Sequence, residues 1–350
     1  MKKLRKILKP FSILYGKVVN VRNRMYDKGT LKSTKFNIPI IVVGNLSVGG
    51  TGKSPMIEYL IRLLQNDYRV AVLSRGYKRD SKGFKLATSK TTVAEIGDEP
   101  MQFFKKFKNI IVAVDAKRVN GIEQLLQLEK PPEIILLDDA FQHRKVTAGF
   151  NILLTPYYNL YADDSMLPTG NLRENKEGAK RAQIVLVTKC PNNLDENEQF
   201  EITKKLKINL KQTAYFTKID YDKFIYSAGN RMELEKLTNY TIILVTGIAK
   251  TLPLTKFLTQ KNIKFKHLKY KDHYNFTKND LNKINTQFSK IVDKNKLILT
   301  TEKDYVRTFE NSNNNVYYLP IKTAFLNADI DKKSFNTKIK EYVEQSTRNS

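Results

Sequence analysis

Short unbroken apolar runs alternate along the chain with segments whose apolar residues recur at helical spacing, and glycine or proline marks the joints. Residues 38–43, Ile-Pro-Ile-Ile-Val-Val, form such a run. An apolar run of this length, rich in β-branched residues, predicts a strand covered on both faces. After Pro55, apolar residues at 56, 57, 60, 61, 63 and 64 predict a helix over 55–64. Further strands are expected at 69–74, 109–114, 133–137, 151–155 and 183–188. Helices are expected from Pro100 to 104 and over 119–128, the latter stopped by Pro131 and Pro132. Strand runs alternating with helices predict an α/β fold around a parallel sheet.

Beyond about residue 212 the texture changes. Segments 213–219 and 223–227 read as a pair of strands connecting two domains. The strand–glycine–helix pattern restarts at 241–247, and strands follow at 297–301 and 316–319. A helix near 332–343 is expected to return to the first domain. The expected division is therefore an N-terminal helix (1–34), a core (35–212), a connection (213–225), a smaller α/β domain (226–322) and a C-terminal helix and tail (323–350).

The first 35 residues hold eleven Lys or Arg and one acid, Asp27. Leu4, Ile7, Leu8, Phe11, Leu14, Tyr15, Val18 and Met25 recur at spacings of three, four and seven, which is one face of a helix. Pro10 is expected to split it, so that its regular part begins near Phe11. A basic amphipathic helix reads as lying in a membrane interface. Its competitor is a helix packed on the protein's own core.

The whole 350-residue chain carries a formal charge of +26, which implies an anionic partner: nucleic acid, an anionic membrane surface or a phosphorylated substrate. A single cysteine, Cys190, excludes a disulfide framework. No apolar run reaches the length of about 18 residues that a spanning helix needs.

The candidate chemistry gathers where strands end. After the strand at 38–43, Gly44-Asn45-Leu46-Ser47-Val48-Gly49-Gly50-Thr51-Gly52-Lys53-Ser54 reads as a phosphate-binding loop opening a helix. Ser47 to Ser54 would cradle the phosphates of a nucleoside triphosphate through backbone N–H groups. Lys53 would reach the β- and γ-phosphates, and the Ser54 hydroxyl would hold Mg²⁺. Ser47 stands where the usual pattern has glycine, so Gly49 and Gly50 are expected to supply the tight backbone. Asp138 and Asp139 close an apolar strand, the arrangement that holds Mg²⁺ opposite the loop's hydroxyl. Asp98, Asp139, His143 and His273 are the candidates to take a proton from an attacking hydroxyl. Thr188-Lys189-Cys190-Pro191 lacks the Asn and Asp of a guanine-specificity element, which lowers a GTPase reading.

Several motifs in one order resemble the tetraacyldisaccharide 4'-kinase family of lipid A biosynthesis. They are the loop through Pro55, Ser74-Arg75-Gly76-Tyr77, Gly97-Asp98-Glu99-Pro100, Leu137-Asp138-Asp139-Ala140-Phe141-Gln142-His143, Leu167-Pro168-Thr169-Gly170-Asn171-Leu172-Arg173-Glu174 and Asp272-His273-Tyr274. The resemblance runs from the N-terminal helix to Thr301-Glu302-Lys303-Asp304. Ser47 matches that family's loop, and Ala140 replaces a glycine found in many members. The resemblance implies a P-loop-type parallel core, a second smaller α/β domain and a membrane-associating N-terminal helix. It implies transfer of the γ-phosphate of ATP, with Mg²⁺, to the 4'-hydroxyl of an acylated glucosamine disaccharide 1-phosphate. It further implies Asp98 as catalytic base supported by His273, with Lys53 stabilising the transferred charge. Arg75, Tyr77, Asn171, Arg173 and Glu174 are implied contacts to substrate, phosphate or metal. The setting it implies is the cytoplasmic face of the inner membrane of a Gram-negative bacterium, as a peripheral or monotopic protein. No nucleic acid and no obligate protein partner are expected. The alternatives are a P-loop ATPase or GTPase that binds nucleic acid through its charge, and a nucleotide-dependent binding or chaperone protein.

Overall fold

The computed structural model describes residues 5–272, 274–310, 312 and 315–348. The described chain begins with a short 3₁₀ turn at Lys6–Leu8 and the helix α1 (Lys9–Asp27). Pro10 does not split this helix; it sits in the first turn, where its missing N–H has no intrahelical partner to lose. Lys2, Lys3 and Leu4 lie outside the described residues.

The first sheet is built in chain order from β1 (Ile40–Asn45), β2 (Val70–Ser74), β3 (Lys85–Leu86), β4 (Ile111–Val114), β5 (Ile134–Asp138), β6 (Phe150–Pro156), β7 (Ile184–Thr188) and β8 (Thr213–Tyr221). The helices α2 (Lys53–Leu64), α3 (Asp98–Lys106), α4 (Arg118–Leu126) and α5 (Glu196–Lys205) intervene. With a late strand, β15 (Ile321–Phe325), the order among the described residues is β15-β8-β7-β6-β1-β5-β2-β4-β3. From β8 through β4 every pairing is parallel, and β3 pairs antiparallel to β4.

β1 is central, and the reason is visible in its alternation. Ile40 and Val42 join one hydrophobic cluster, Ile41 and Val43 the other, so both faces are covered. The second cluster takes Met56, Ile57, Leu60, Ile61 and Leu64 from α2. It also takes Phe335, Ile339 and Val343 from the C-terminal helix α8 (Asp331–Arg348), described below in its place in the chain. β1 is flanked by β5 and β6, so the chain leaves it in one direction for β2 and later returns on the other side. Ligands of open α/β sheets bind beyond the strand ends at such a switch point.

The second sheet contains β9 (Phe224–Ser227), β10 (Asn230–Glu233), β11 (Thr241–Thr246), β12 (Phe265–Lys269), β13 (Lys296–Thr301) and β14 (Val316–Leu319), in the order β10-β9-β14-β13-β11-β12. Its helices are α6 (Leu252–Gln260) and α7 (Lys278–Ser289). β15 (Ile321–Phe325) and α8 follow. The segments near 213–219 and 223–227, expected as two strands connecting the domains, belong to different sheets. β8 extends the first sheet beside β7, whereas β9 pairs with β10 and β14. The buried Tyr215 and Phe216 of β8 fill the clusters on the two faces of the first sheet, which outweighs the short connection to β9.

The chain divides into two compact units. One comprises Met1–Ile96, Phe103–Ile219 and Thr323–Ser350, the other Gly97–Gln102 and Asp220–Lys322. Among the described residues, no helix is long and apolar enough to cross a membrane.

Candidate active site

The loop after β1 is shaped by two left-handed glycines. Gly49 has φ +114° and Gly52, the residue capping α2, has φ +98°. A side chain at either position would be strained. Ser47 needs no such freedom, because it forms an antiparallel bridge with Leu172 and is buried. The Val48 N–H donates to the Asn171 carbonyl (2.8 Å), and the Arg173 N–H donates to the Leu46 carbonyl (2.7 Å). The strip 171–173 therefore braces the loop from outside, which explains how serine replaces the usual first glycine. From the other side, the Thr188 hydroxyl donates to the Thr51 carbonyl (2.7 Å) and Lys189 Nζ to the Gly50 carbonyl (2.5 Å). Inside the loop, Asn45 Nδ2 donates to Thr51 Oγ1 (3.0 Å).

β5 delivers the paired carboxylates beside this loop. Val43 is in register with Asp138, and the Asp139 N–H donates to the Val43 carbonyl (3.0 Å). Asp138 is buried and its Oδ2 accepts from Ser74 Oγ at 3.1 Å. Asp139 adopts a left-handed φ of +48°, a conformation that Asp tolerates better than most residues. Its carboxylate accepts two hydrogen bonds from Arg173, Nη1 to Oδ2 (3.1 Å) and Nη2 to Oδ1 (2.7 Å). Lys53 Nζ stands 3.6 Å from Asp139 Oδ1. Burial pushes the Asp139 carboxyl up, but Arg173, Lys53 and Arg118 outweigh it and hold the pKa down at about 2. Asp139 is thus an anion already matched by cations. The donors Ser54 and Asp138 are both buried next to the loop and are hard oxygen ligands of the kind Mg²⁺ prefers. Among the described residues there is no group of three or more His, Cys, Asp and Glu fit to cage a metal.

Arg118 opens α4. It is 2% exposed, and its guanidinium donates to the Asp115 carbonyl and, from Nη2, to the Asp138 carbonyl (3.1 Å). Burial lowers its pKa to about 10, against the pull of Asp138 and Asp139, so it stays charged at neutral pH. His143 caps the same turn, its N–H donating to the Ala140 carbonyl (2.8 Å). Burial first, then the charges of Arg118 and Arg75, push its pKa down to about 4. It is a neutral imidazole at neutral pH. Arg75 and Tyr77 lie exposed on the loop after β2.

The remaining sequence candidates on 164–174 meet α1 or their own strip. Asn171 accepts from Arg5 Nη1 (3.1 Å) and donates from Nδ2 to Asp164 Oδ2 (3.1 Å). Glu174 is buried, paired to Arg181 (2.5 and 2.9 Å), and accepts from Asn23 Nδ2 (2.8 Å). Ser12 Oγ donates to the Met166 carbonyl and meets Thr169 Oγ1 at 2.6 Å, and Tyr15 OH donates to the Arg173 carbonyl. The helix therefore docks by its polar and small residues, burying Ser12 and Gly16. Ile7, Phe11, Ile13, Leu14, Val18 and Val21 are exposed. A helix packed by its apolar face on the protein's own core is not what forms.

In the second unit, Asp98 opens α3, and its Oδ2 accepts from Arg307 Nε (3.0 Å) and Nη2 (2.5 Å). Glu99 pairs with Lys303 (2.5 Å). His273 lies outside the described residues. Arg307 was missed in the sequence, although its spacing of three from Asp304 was available as a signal.

A parallel sheet with this glycine loop, Gly-Lys-Ser at a helix start and twin aspartates on the neighbouring strand defines a P-loop nucleoside-triphosphate-binding protein. Residues 4–344 match the family model described as tetraacyldisaccharide-1-P 4'-kinase. The chain is 52% identical over 347 residues to the tetraacyldisaccharide 4'-kinase of Flavobacterium johnsoniae, covering 99% of both chains. It is 46% identical to that of Bacteroides thetaiotaomicron, covering 99% of this chain and 96% of the relative. Among solved structures it is similar to LpxK of Aquifex aeolicus in complex with ATP, with TM-score 0.78 and 32% identity over 97% of this chain and 99% of that one. The chain belongs to the tetraacyldisaccharide 4'-kinase family and is an ATP-binding kinase. The alternative of a nucleic-acid-binding ATPase or GTPase is not favoured.

Proposed function

We propose that this protein transfers the γ-phosphoryl group of ATP to the 4'-hydroxyl of a tetraacylated glucosamine disaccharide 1-phosphate, giving the 4'-phosphorylated lipid IVA and ADP. The observation that carries the proposal is the cation–carboxylate assembly at the end of β1 and β5, Lys53 with Asp138, Asp139, Arg118 and Arg173, in a chain of this family. The 4'-oxygen attacks Pγ, the bond from Pγ to the bridging oxygen breaks, and the electron pair leaves with ADP. The N–H groups of residues 47–54 orient the phosphates. Lys53 exchanges its Asp139 contact for the β- and γ-phosphates and offsets the charge that spreads over the transferring group. Ser54 with Asp138 or Asp139 would hold Mg²⁺, which when bound neutralises phosphate charge. Asp98, supported by His273, accepts the proton of the attacking hydroxyl. Arg75, Tyr77, Asn171, Arg173 and Glu174 shape the acceptor side, with Glu174 acting through the Arg181 and Asn23 pairing that fixes the strip.

The acceptor is an anionic lipid, and α1 supplies a matching surface. Its apolar residues face outward between Lys9, Lys17 and Arg24, as an interfacial helix requires. Each base near an anionic leaflet contributes roughly 1 kcal/mol. We place the protein peripherally on the cytoplasmic face of the inner membrane.

The test is incubation of the purified chain with γ-labelled ATP, MgCl₂ and the acylated disaccharide 1-phosphate in detergent micelles. The expected result is label in a lipid product that carries one more phosphate. ATP hydrolysis without any labelled lipid would refute the assignment.

A further inference from the structure

Arg307 lies in the single turn Tyr305–Phe309 that follows β13, with its side chain only 9% exposed. Its guanidinium meets Asp98, Tyr274 and Asp304, all in the second unit. Nε and Nη2 both donate to Asp98 Oδ2, at 3.0 and 2.5 Å. Nη1 donates to the Tyr274 carbonyl at 3.2 Å and stands 3.6 Å from Asp304 Oδ1. Asp304 is fully buried and is itself fixed. Its Oδ2 accepts from the Gly247 N–H (2.9 Å) and from Thr301 Oγ1 (2.7 Å). Burial, reinforced by the Asp98 charge, pushes its carboxyl up, against the pull of its hydrogen bonds and of Arg307. The guanidinium is thus anchored from behind by a buried, hydrogen-bonded carboxylate, and its Nε and Nη2 donors together fix the direction of the Asp98 carboxylate.

We propose that Arg307 is a positioning residue for phosphoryl transfer, holding the Asp98 carboxylate in its working orientation and tying it to the Tyr274 backbone. This rests on the reading of Asp98 as the proton acceptor. A carboxylate that must take a proton from an attacking hydroxyl loses rate steeply when its orientation is loosened, because misplacement by about 1 Å costs up to 10²-fold. Arg307 touches neither substrate in this scheme, so its loss should appear in kcat and leave substrate affinity alone.

The experiment compares Arg307→Ala, Arg307→Lys, Asp98→Asn and the Arg307→Ala/Asp98→Asn double variant of the full chain, with thermal unfolding recorded for each. Asp98→Asn is expected to slow turnover by about 100-fold or more. Arg307→Ala should lower kcat by about tenfold or more, with KM for ATP and for the lipid acceptor within about twofold of the parent. Millimolar guanidinium added to the alanine variant should restore part of the lost kcat, Arg307→Lys should retain most of it, and the double variant should be no slower than Asp98→Asn alone. If the alanine variant does not fold, Arg307→Gln keeps the length, removes the charge and carries the same expectation. A slow Asp98→Asn beside an Arg307→Ala with parental kcat overturns the Arg307 inference alone. A loss that resides in KM, or that adds fully to the Asp98→Asn loss, overturns it too. An Asp98→Asn variant with parental turnover overturns the proton-acceptor reading and the inference with it.

Discussion

His143 and Asp139 sit a few residues apart, and both are driven toward their deprotonated forms, with Arg118 acting on each. Arg173, Lys53 and Arg118 favour the anion of Asp139, whereas burial first, and then Arg118 and Arg75, disfavour the imidazolium of His143. The consequence for stability has a definite sign. Free histidine titrates near 6.5 and folded His143 near 4. Above pH 6.5 both states are neutral and the group contributes nothing. Between pH 6.5 and 4 the unfolded chain binds a proton that the folded chain refuses, so stability falls as the pH falls. Allowing for its partial exposure, the full difference is about 2 kcal/mol. Relative to wild type, His143→Gln should gain about that much between pH 7.5 and pH 4.5, measured by denaturant unfolding at each pH. A difference that does not vary with pH would mean that the imidazole is protonated without cost. At this scale, much of the site was legible, because Lys53, Ser54, Asp138 and Asp139 carry their chemistry in their spacing. Arg118 and Arg307 were not legible as site residues. A buried arginine looks like any solvated cation until the fold shows which carbonyls and carboxylates it reaches.

The strand runs read directly because parallel strands buried on both faces leave little room for polar residues, and β1, β5 and β7 are buried throughout. The two-residue β3, the exposed β10 and the partly buried β15 carry no such signature and were missed. Segments β8 and β9 were read as strands of one connection because they are adjacent in sequence, whereas burial sends them to different sheets. Helix α1 is the instructive element. Its periodicity identified an apolar face, yet periodicity cannot say whether that face is covered. The structure adds that the covered face is the polar one, held by Arg5, Ser12, Tyr15 and Asn23 against 164–174. Deleting the helix would therefore strip the brace from the strip that supports the P-loop, and a membrane test should use point changes. Phe11→Glu with Leu14→Glu, at 63% and 62% exposure, should leave thermal stability within about 0.5 kcal/mol. The same pair should weaken sedimentation with anionic vesicles by about tenfold or more, since it exposes two charges to the acyl boundary. Unchanged vesicle binding would move the interfacial role off this face.

For the whole molecule, two observations set the energetics: a chain of +26 formal charge and a division into two compact units. The charge makes every encounter with anionic lipid or nucleotide dependent on salt, since exposed charges are screened beyond about 8–10 Å at physiological ionic strength. The division means that ligand effects on stability belong to the unit that binds, and one melting temperature would mix two transitions. Hydrogen exchange separates them. A ligand at 100 times its Kd stabilises the state that binds it by about 2.7 kcal/mol, roughly a 100-fold slowing of exchange for amides that open only by unfolding. Amides of β1, β5 and α2 qualify, because those strands are buried throughout and α2 carries the core residues Met56, Leu60 and Leu64. With saturating ATP and MgCl₂ their exchange should slow by that order, and with ATP and a chelator by distinctly less. Asp138→Asn should shrink the gap between the two conditions, because the carboxylate proposed to hold the metal is gone while the loop and Lys53 still bind phosphate. The variant folds if its exchange without ligand matches wild type, which its neutral amide beside Ser74 and Arg118 permits. A variant that keeps the full magnesium dependence would exclude Asp138 from the metal site and shift that role to Asp139, once Arg173 and Lys53 release it.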